Sequence, residues 1–114
     1  MNGFSVETEE KDAVVILNLS GYLDAHTAPQ FEEEIETAIK EKKFKMVVNL
    51  EKLDYISSAG LGVFMGYIED IRENDGDIII TNSSEKVYKV FDLLGFPNIF
   101  KIFDTMEESL NEFK

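Results

Sequence analysis

A chain of 114 residues with 44% hydrophobic side chains is long and apolar enough for its own core, burying about two-thirds of the surface its unfolded form exposes. The absence of cysteine excludes disulfides, thiolate metal sites and cysteine nucleophiles. A net charge of −12 opposes binding to nucleic acid, whose phosphates require Lys and Arg, and to anionic membrane surfaces, while suiting either solubility alone or a basic partner.

One domain is expected over residues 1–114. Met1-Asn2-Gly3-Phe4-Ser5-Val6 lacks a basic stretch followed by an apolar one, so no secretory signal is expected. No apolar run approaches the ~20 residues that span a bilayer. Without a secretory route the glycosylation triplet Asn82-Ser83-Ser84 carries no meaning. The expected compartment is cytoplasmic.

Phe4, Val6 and Thr8 alternate with polar residues, the period of a strand with one wet face. A turn at Glu10-Lys11-Asp12 leads to a second strand through Val14–Leu19, predicting an antiparallel hairpin. Thr27, Pro29 and Gln30 then mark a helix start with a capping box. Phe31, Ile35, Ala38 and Ile39 form its apolar stripe, and Glu32, Glu33, Glu34 and Glu36 its solvated face. Residues 45–50 and 77–81 are short apolar runs rich in β-branched side chains, as in strands covered on both faces.

Between them the spacing predicts a helix from about Ser58 to Asn74. Another runs from Ser83 or Ser84 to Leu94, with Val87, Val90, Phe91 and Leu94 inward, and stops at Gly95-Phe96-Pro97. A strand over Ile99–Phe103 precedes a second capping box, Thr105 with Glu108, and a last helix burying Met106, Leu110 and Phe113. The predicted fold class is α/β: a mixed, mainly parallel sheet with an N-terminal antiparallel hairpin and about four helices.

The helix opening at Ser57–Ser58 is the unusual element. At about 100° per residue, Leu61, Phe64, Met65 and Ile68 share one side and are expected to face the sheet. Gly62, Val63, Gly66, Tyr67 and Asp70 share the other. Two glycines inside a helix cost about 1 kcal/mol each relative to alanine, so something should compensate. Either a partner backbone docks closely there, or a neighbouring helix of the same chain does. Ser57 and Ser58 can serve as plain N-caps. They can also accept a phosphoryl group beside the helix's positive end, which the fold would tolerate and a docked partner would not.

The chain resembles a STAS domain of the bacterial anti-sigma factor antagonist type over nearly its whole length. Gly21-Tyr22-Leu23-Asp24, Val47-Val48-Asn49-Leu50, Tyr55-Ile56-Ser57-Ser58-Ala59-Gly60-Leu61-Gly62 and Phe91-Asp92-Leu93-Leu94-Gly95 carry the resemblance. It implies a partner, an anti-sigma factor with serine kinase activity, and a protein phosphatase that reverses the modification. The phosphorylated serine falls at Ser58. Ser57 stands where the best-known antagonists carry aspartate, which makes it a competing acceptor. The implied partner surface comprises Asp24, Ser57, Ser58, Ala59, Gly60, Gly62, Val63, Gly66 and Tyr67, on a monomer or weak dimer. A STAS scaffold that is never phosphorylated, or a weak nucleotide-binding sensor, is the alternative.

No enzyme is expected, nor any cofactor. His26, the only histidine, lies in a loop without a nucleophile or co-ligands, so no metal site is expected. Gly60, Gly62 and Gly66 miss the dinucleotide spacing by one residue, and no phosphate-cradling Gly-Lys-Ser/Thr occurs.

Overall fold

The computed structural model describes residues 3–114; Met1 and Asn2, part of the N-terminal stretch read for a leader, lie outside the described residues. The chain runs β1 (Ser5–Lys11), β2 (Val14–Leu23), α1 (Ala28–Lys40), β3 (Lys45–Ile56), α2 (Ser58–Glu73), β4 (Asp77–Thr81), α3 (Glu85–Leu93), a 3₁₀ turn (Phe96–Asn98), β5 (Ile102–Phe103) and α4 (Met106–Asn111). The sheet order is β1-β2-β3-β4-β5, with β1 antiparallel to β2 and every other pair parallel. The expected mixed sheet and element order are those observed.

Because the strand order follows the chain and parallel crossovers share one hand, α1, α2 and α3 fall on the same face. Alternate strand residues meet them: Val15, Leu17 and Leu19 from β2, Met46, Val48 and Leu50 from β3, Ile78 and Ile80 from β4. Phe64 of α2 lies at the centre, its ring 5.2 Å from Phe31, 5.8 Å from Phe100, 6.0 Å from Phe91 and 6.2 Å from Phe96. Truncating such a side chain to alanine costs about 3–5 kcal/mol, so α2 is fixed rigidly against the sheet.

The opposite face is covered in part. Val14, Ile16, Val47 and Ile79 pack with Leu110 of α4. Beyond them a row of amides crosses the strands: Asn49 Nδ2 donates to Asn18 Oδ1 at 2.8 Å, and Asn82 Nδ2 to Asn49 Oδ1 at 3.1 Å. The expectation that residues 45–50 and 77–81 are covered on both faces holds for Ile78–Thr81 and, apart from half-buried Asn49, for Met46–Leu50; beyond Leu50 β3 runs on with exposed residues among its buried ones.

Several boundaries differ from the sequence reading. The hairpin turn is Asp12-Ala13, both left-handed with φ of 54° and 68°. β2 continues past Leu19 to Leu23, passing register shifts at Asn18–Ser20 and Gly21–Tyr22. Gly21 is required there, because its φ is +91° and a Cβ would lie 2.0 Å from the Gly3 carbonyl oxygen. The last strand contracts to two residues because Phe96–Asn98 takes up a 3₁₀ turn after Gly95, at φ +78°. Leu94, expected inward, is 55% exposed, since it follows the last helical residue of α3.

The first capping box does not form. Thr27 Oγ1 instead donates to the Tyr22 carbonyl at 2.8 Å and accepts from the Asp24 amide at 2.9 Å. The second forms in half: Thr105 Oγ1 accepts from the Glu108 amide at 3.1 Å, while the Glu108 carboxylate accepts from the Thr105 hydroxyl, also at 3.1 Å, rather than from its backbone amide.

Candidate functional site at the start of α2

β2 and β3 end side by side. Leu23 pairs with Ile56, and the Ser57 amide donates to the Leu23 carbonyl at 2.9 Å. Asp24 and Ser57 therefore leave the sheet together, one toward α1 and the other into α2. Asp24 Oδ1 accepts the amides of His26 at 2.9 Å and Thr27 at 3.2 Å, which closes the turn into α1. Its carboxylate is thus a turn-maker first, half-buried at the same sheet end as the two serines.

The two serines differ sharply. Ser57 occupies the N-cap of α2 with extended backbone, φ −104° and ψ 175°, yet its side chain caps nothing. Its Oγ is buried without a hydrogen-bond partner. Ser58 is the first helical residue and is exposed. The opening amides of a helix have no intrahelical acceptors, so Ser58 sits where positive potential is concentrated and a negative group is favoured.

Beyond Ser58 the exposed column is Gly62, Met65, Gly66 and Glu69, neighbours at helical spacing of three and four residues. A Cβ at Gly62 or Gly66 would meet nothing within 4 Å. Close packing of a neighbouring helix of this chain, one of the two readings of these glycines, is therefore overturned. Gly60 is the opposite case. It is buried, and a Cβ would lie 2.7 Å from Leu23 Cγ and 3.0 Å from Ile56 Cγ1. Gly60 lets the first turn of α2 settle onto the strand ends.

Two residues of α2 exchange their expected sides. Val63 is 4% exposed and part of the core, whereas Met65, expected inward, is 46% exposed. On a helical wheel the two flank Phe64 symmetrically, so periodicity could not rank them. α1 packs against α2, and its Glu36 reaches Tyr67, one turn beyond Val63, so α1 lies on the Val63 side and breaks the tie. Tyr67, one turn further on, is half-buried on that side and its hydroxyl donates to Glu36 of α1. That bond stabilises the protonated phenol and, with partial burial, pushes its pKa up to about 12. Ala59 is likewise half-buried against the core. Of the expected partner surface, Ser58, Gly62 and Gly66 are exposed together, and Met65, expected inward, is exposed beside them; the signal available for it was its equal standing with Val63.

The geometry opposes a phosphate cradle. Gly62 and Gly66 lie within the helix, their amides inside its hydrogen-bonded run, and Gly60 is occupied by Leu23 and Ile56. His26 is exposed, and among the described residues no group of three or more His, Cys, Asp or Glu is placed to hold a metal ion. Among them too, no helix is long and apolar enough to cross a membrane.

The sequence profile of the STAS domain matches residues 5–109. The chain is 28% identical over 98 residues to the anti-sigma-B factor antagonist of Staphylococcus aureus (strain NCTC 8325), covering 86% of this chain and 91% of that one. The solved anti-sigma factor antagonist SpoIIAA in its unphosphorylated form is 29% identical with a TM-score of 0.80, over 96% of this chain and 95% of that one. The Bacillus cell fate determinant SpoIIAA in the phosphorylated form is 27% identical with a TM-score of 0.74, over 98% of this chain and 100% of that one. With the five-stranded sheet, the serine-led α2 and a profile match over most of its length, the chain belongs to the STAS domain family.

Proposed function

We propose that this chain binds an anti-sigma factor with serine kinase activity through the exposed face of α2, and that phosphorylation of Ser58 ends the binding. Sigma-factor-dependent transcription is what the pair would regulate, in the cytoplasm, with a phosphatase restoring the unmodified state. The chain acts as a binding module of one domain, monomeric or weakly dimeric, and not as an enzyme.

The observation that carries this reading is the contrast at the start of α2. Ser58 is open to solvent at the head of a glycine column that faces open space, while the Oγ of Ser57 is buried. A kinase can reach the first hydroxyl and not the second without opening the fold. The glycines leave room for a partner backbone to approach, at a cost to helix stability that nothing inside the chain requires. A phosphate at Ser58 adds about −1.5 to −2 charges at the edge of that surface, enough to expel a partner that has no cation to meet it. The family's SpoIIAA, solved in unphosphorylated and phosphorylated forms, supports the same kind of switch.

The test is incubation of the chain with ATP and its anti-sigma factor, followed by peptide mass spectrometry. One phosphate on Ser58 is expected; modification of Ser57 alone, or of neither, would refute the switch. Ser58→Asp should weaken binding by about a hundredfold or more while leaving the melting temperature nearly unchanged. Retained binding by Ser58→Asp, with no modification of the native chain, would instead favour a scaffold that is never phosphorylated.

A further inference from the structure

Tyr22 and Tyr55 stand opposite each other across the β2–β3 pair, with ring centroids 5.5 Å apart and planes tilted by 38°. They are 38% and 40% exposed. The residues that follow them, Leu23 and Ile56, turn into the core beneath the three crossover helices. The tyrosines therefore point to the other side of the sheet, away from α2. On that side α4 covers only the opposite end, and the Asn18–Asn49–Asn82 row lies between.

Two features say what such a pair would take. Its surroundings are acidic: residues 20–24 and 51–56 carry Asp24, Glu51 and Asp54 against a single Lys52. Aromatic ring faces carry negative potential of their own, so rings and carboxylates together favour a cation. The pair also sits at the strand ends, two residues before Asp24 and two before Ser57. A protein seated on Ser58 needs only to reach over the ends of β2 and β3 to touch it.

We propose, on the basis of the α2 docking face given above, that Tyr22 and Tyr55 form a second contact region for the same anti-sigma factor, receiving an arginine or lysine side chain against their ring faces. The partner then grips the sheet end from both sides, with glycines on one and tyrosines on the other. Exposed aromatic residues of this kind are frequent energetic anchors of interfaces.

The test is calorimetric titration of the full chain with its purified anti-sigma factor at several salt concentrations. Tyr22→Leu and Tyr55→Leu keep apolar bulk but remove the ring. Each should raise Kd about tenfold and flatten its salt dependence. Tyr55→Phe keeps the ring face and should stay within about twofold of the parent. Gly62→Arg serves as the reference for the α2 face. If it abolishes binding while both leucine variants bind like the parent, the tyrosine contact is wrong and the docking face stands. If Gly62→Arg also binds like the parent, the docking face falls and the tyrosine contact with it. Should the leucine variants fail to fold, amide chemical shifts of the unaltered chain decide: no movement at Tyr22 and Tyr55 on saturation with the partner overturns the proposal. Self-association that depends on the tyrosines, with partner affinity unchanged, overturns it equally.

Discussion

Gly60 lies against Leu23 so closely that a single methyl group on it would come within 2.7 Å of the Leu23 Cγ. The contact ties the first turn of α2 to the end of β2, and with it Ser58 to Asp24. The other glycines of the helix have no such neighbour. Three glycines within seven residues thus have two different reasons to be there.

Alanine substitutions should separate those reasons. Gly60→Ala overpacks Leu23 and Ile56 and should destabilise the fold by about 1–3 kcal/mol. Gly62→Ala and Gly66→Ala fill open space in a helix interior and should each stabilise it by about 1 kcal/mol, or roughly 4 °C in melting temperature. Both stabilised variants should bind the anti-sigma factor less tightly. Thermal melts and titrations on the same samples check the pair of signs; tighter binding by either variant would remove the functional reason for the glycines.

Ser57→Ala should behave unlike most N-cap replacements. Loss of a capping serine ordinarily costs about 1 kcal/mol. Here the hydroxyl caps nothing and is buried without a partner, a state that itself costs about 1–3 kcal/mol. Its removal should leave stability unchanged or raise it, and phosphorylation of Ser58 should persist. A drop of 1 kcal/mol or so in denaturant unfolding would mean that the hydroxyl has a partner in solution.

The β1–β2 turn offers a stabilising change remote from the site. Ala13 holds φ at 68°, in the left-handed region that costs a residue with a side chain about 1–2 kcal/mol. Asp-Gly is the preferred pair where both central residues have positive φ. Ala13→Gly should therefore stabilise the chain by about 0.5–1 kcal/mol without altering partner affinity.

Alkaline titration should pick out Tyr67. Its hydrogen bond to Glu36 raises the phenol from its ordinary 10.0 to about 12. The folded pKa lies above the unfolded one, so the protonated phenol's contribution to stability is complete below about pH 10 and lost as pH rises through about 12. Glu36→Ala removes the acceptor and should bring the ionisation, followed by NMR of a ring-labelled sample, back toward 10.0. An unchanged midpoint would show that burial rather than Glu36 sets it.

The order of elements, the mixed sheet and the special character of the segment from Ser57 to Gly66 were legible in the sequence. Each rests on local signals: two-residue alternation, β-branched runs, cap residues and glycines where a helix would rather have none. The extent of β2 was not legible, because Gly21 reads as a strand end and is instead a left-handed residue within a strand that continues to Leu23. Nor was the failure of Thr27 to cap α1, since its hydroxyl is taken up by the Tyr22 carbonyl.

The sequence alone therefore determined that a serine-led helix carries glycines it does not need for its own formation. Tertiary structure decided which of those residues faces out. Val63 and Met65 are equivalent by periodicity, and only the presence of α1 on one side buries the first and leaves the second open. Ser57 and Ser58 are adjacent and chemically identical. The pairing of Leu23 with Ile56 sets the backbone so that one hydroxyl is buried while the other residue meets the solvent. Which of two neighbouring groups lies outside depends on what packs beside them, and that is a property of the assembled chain.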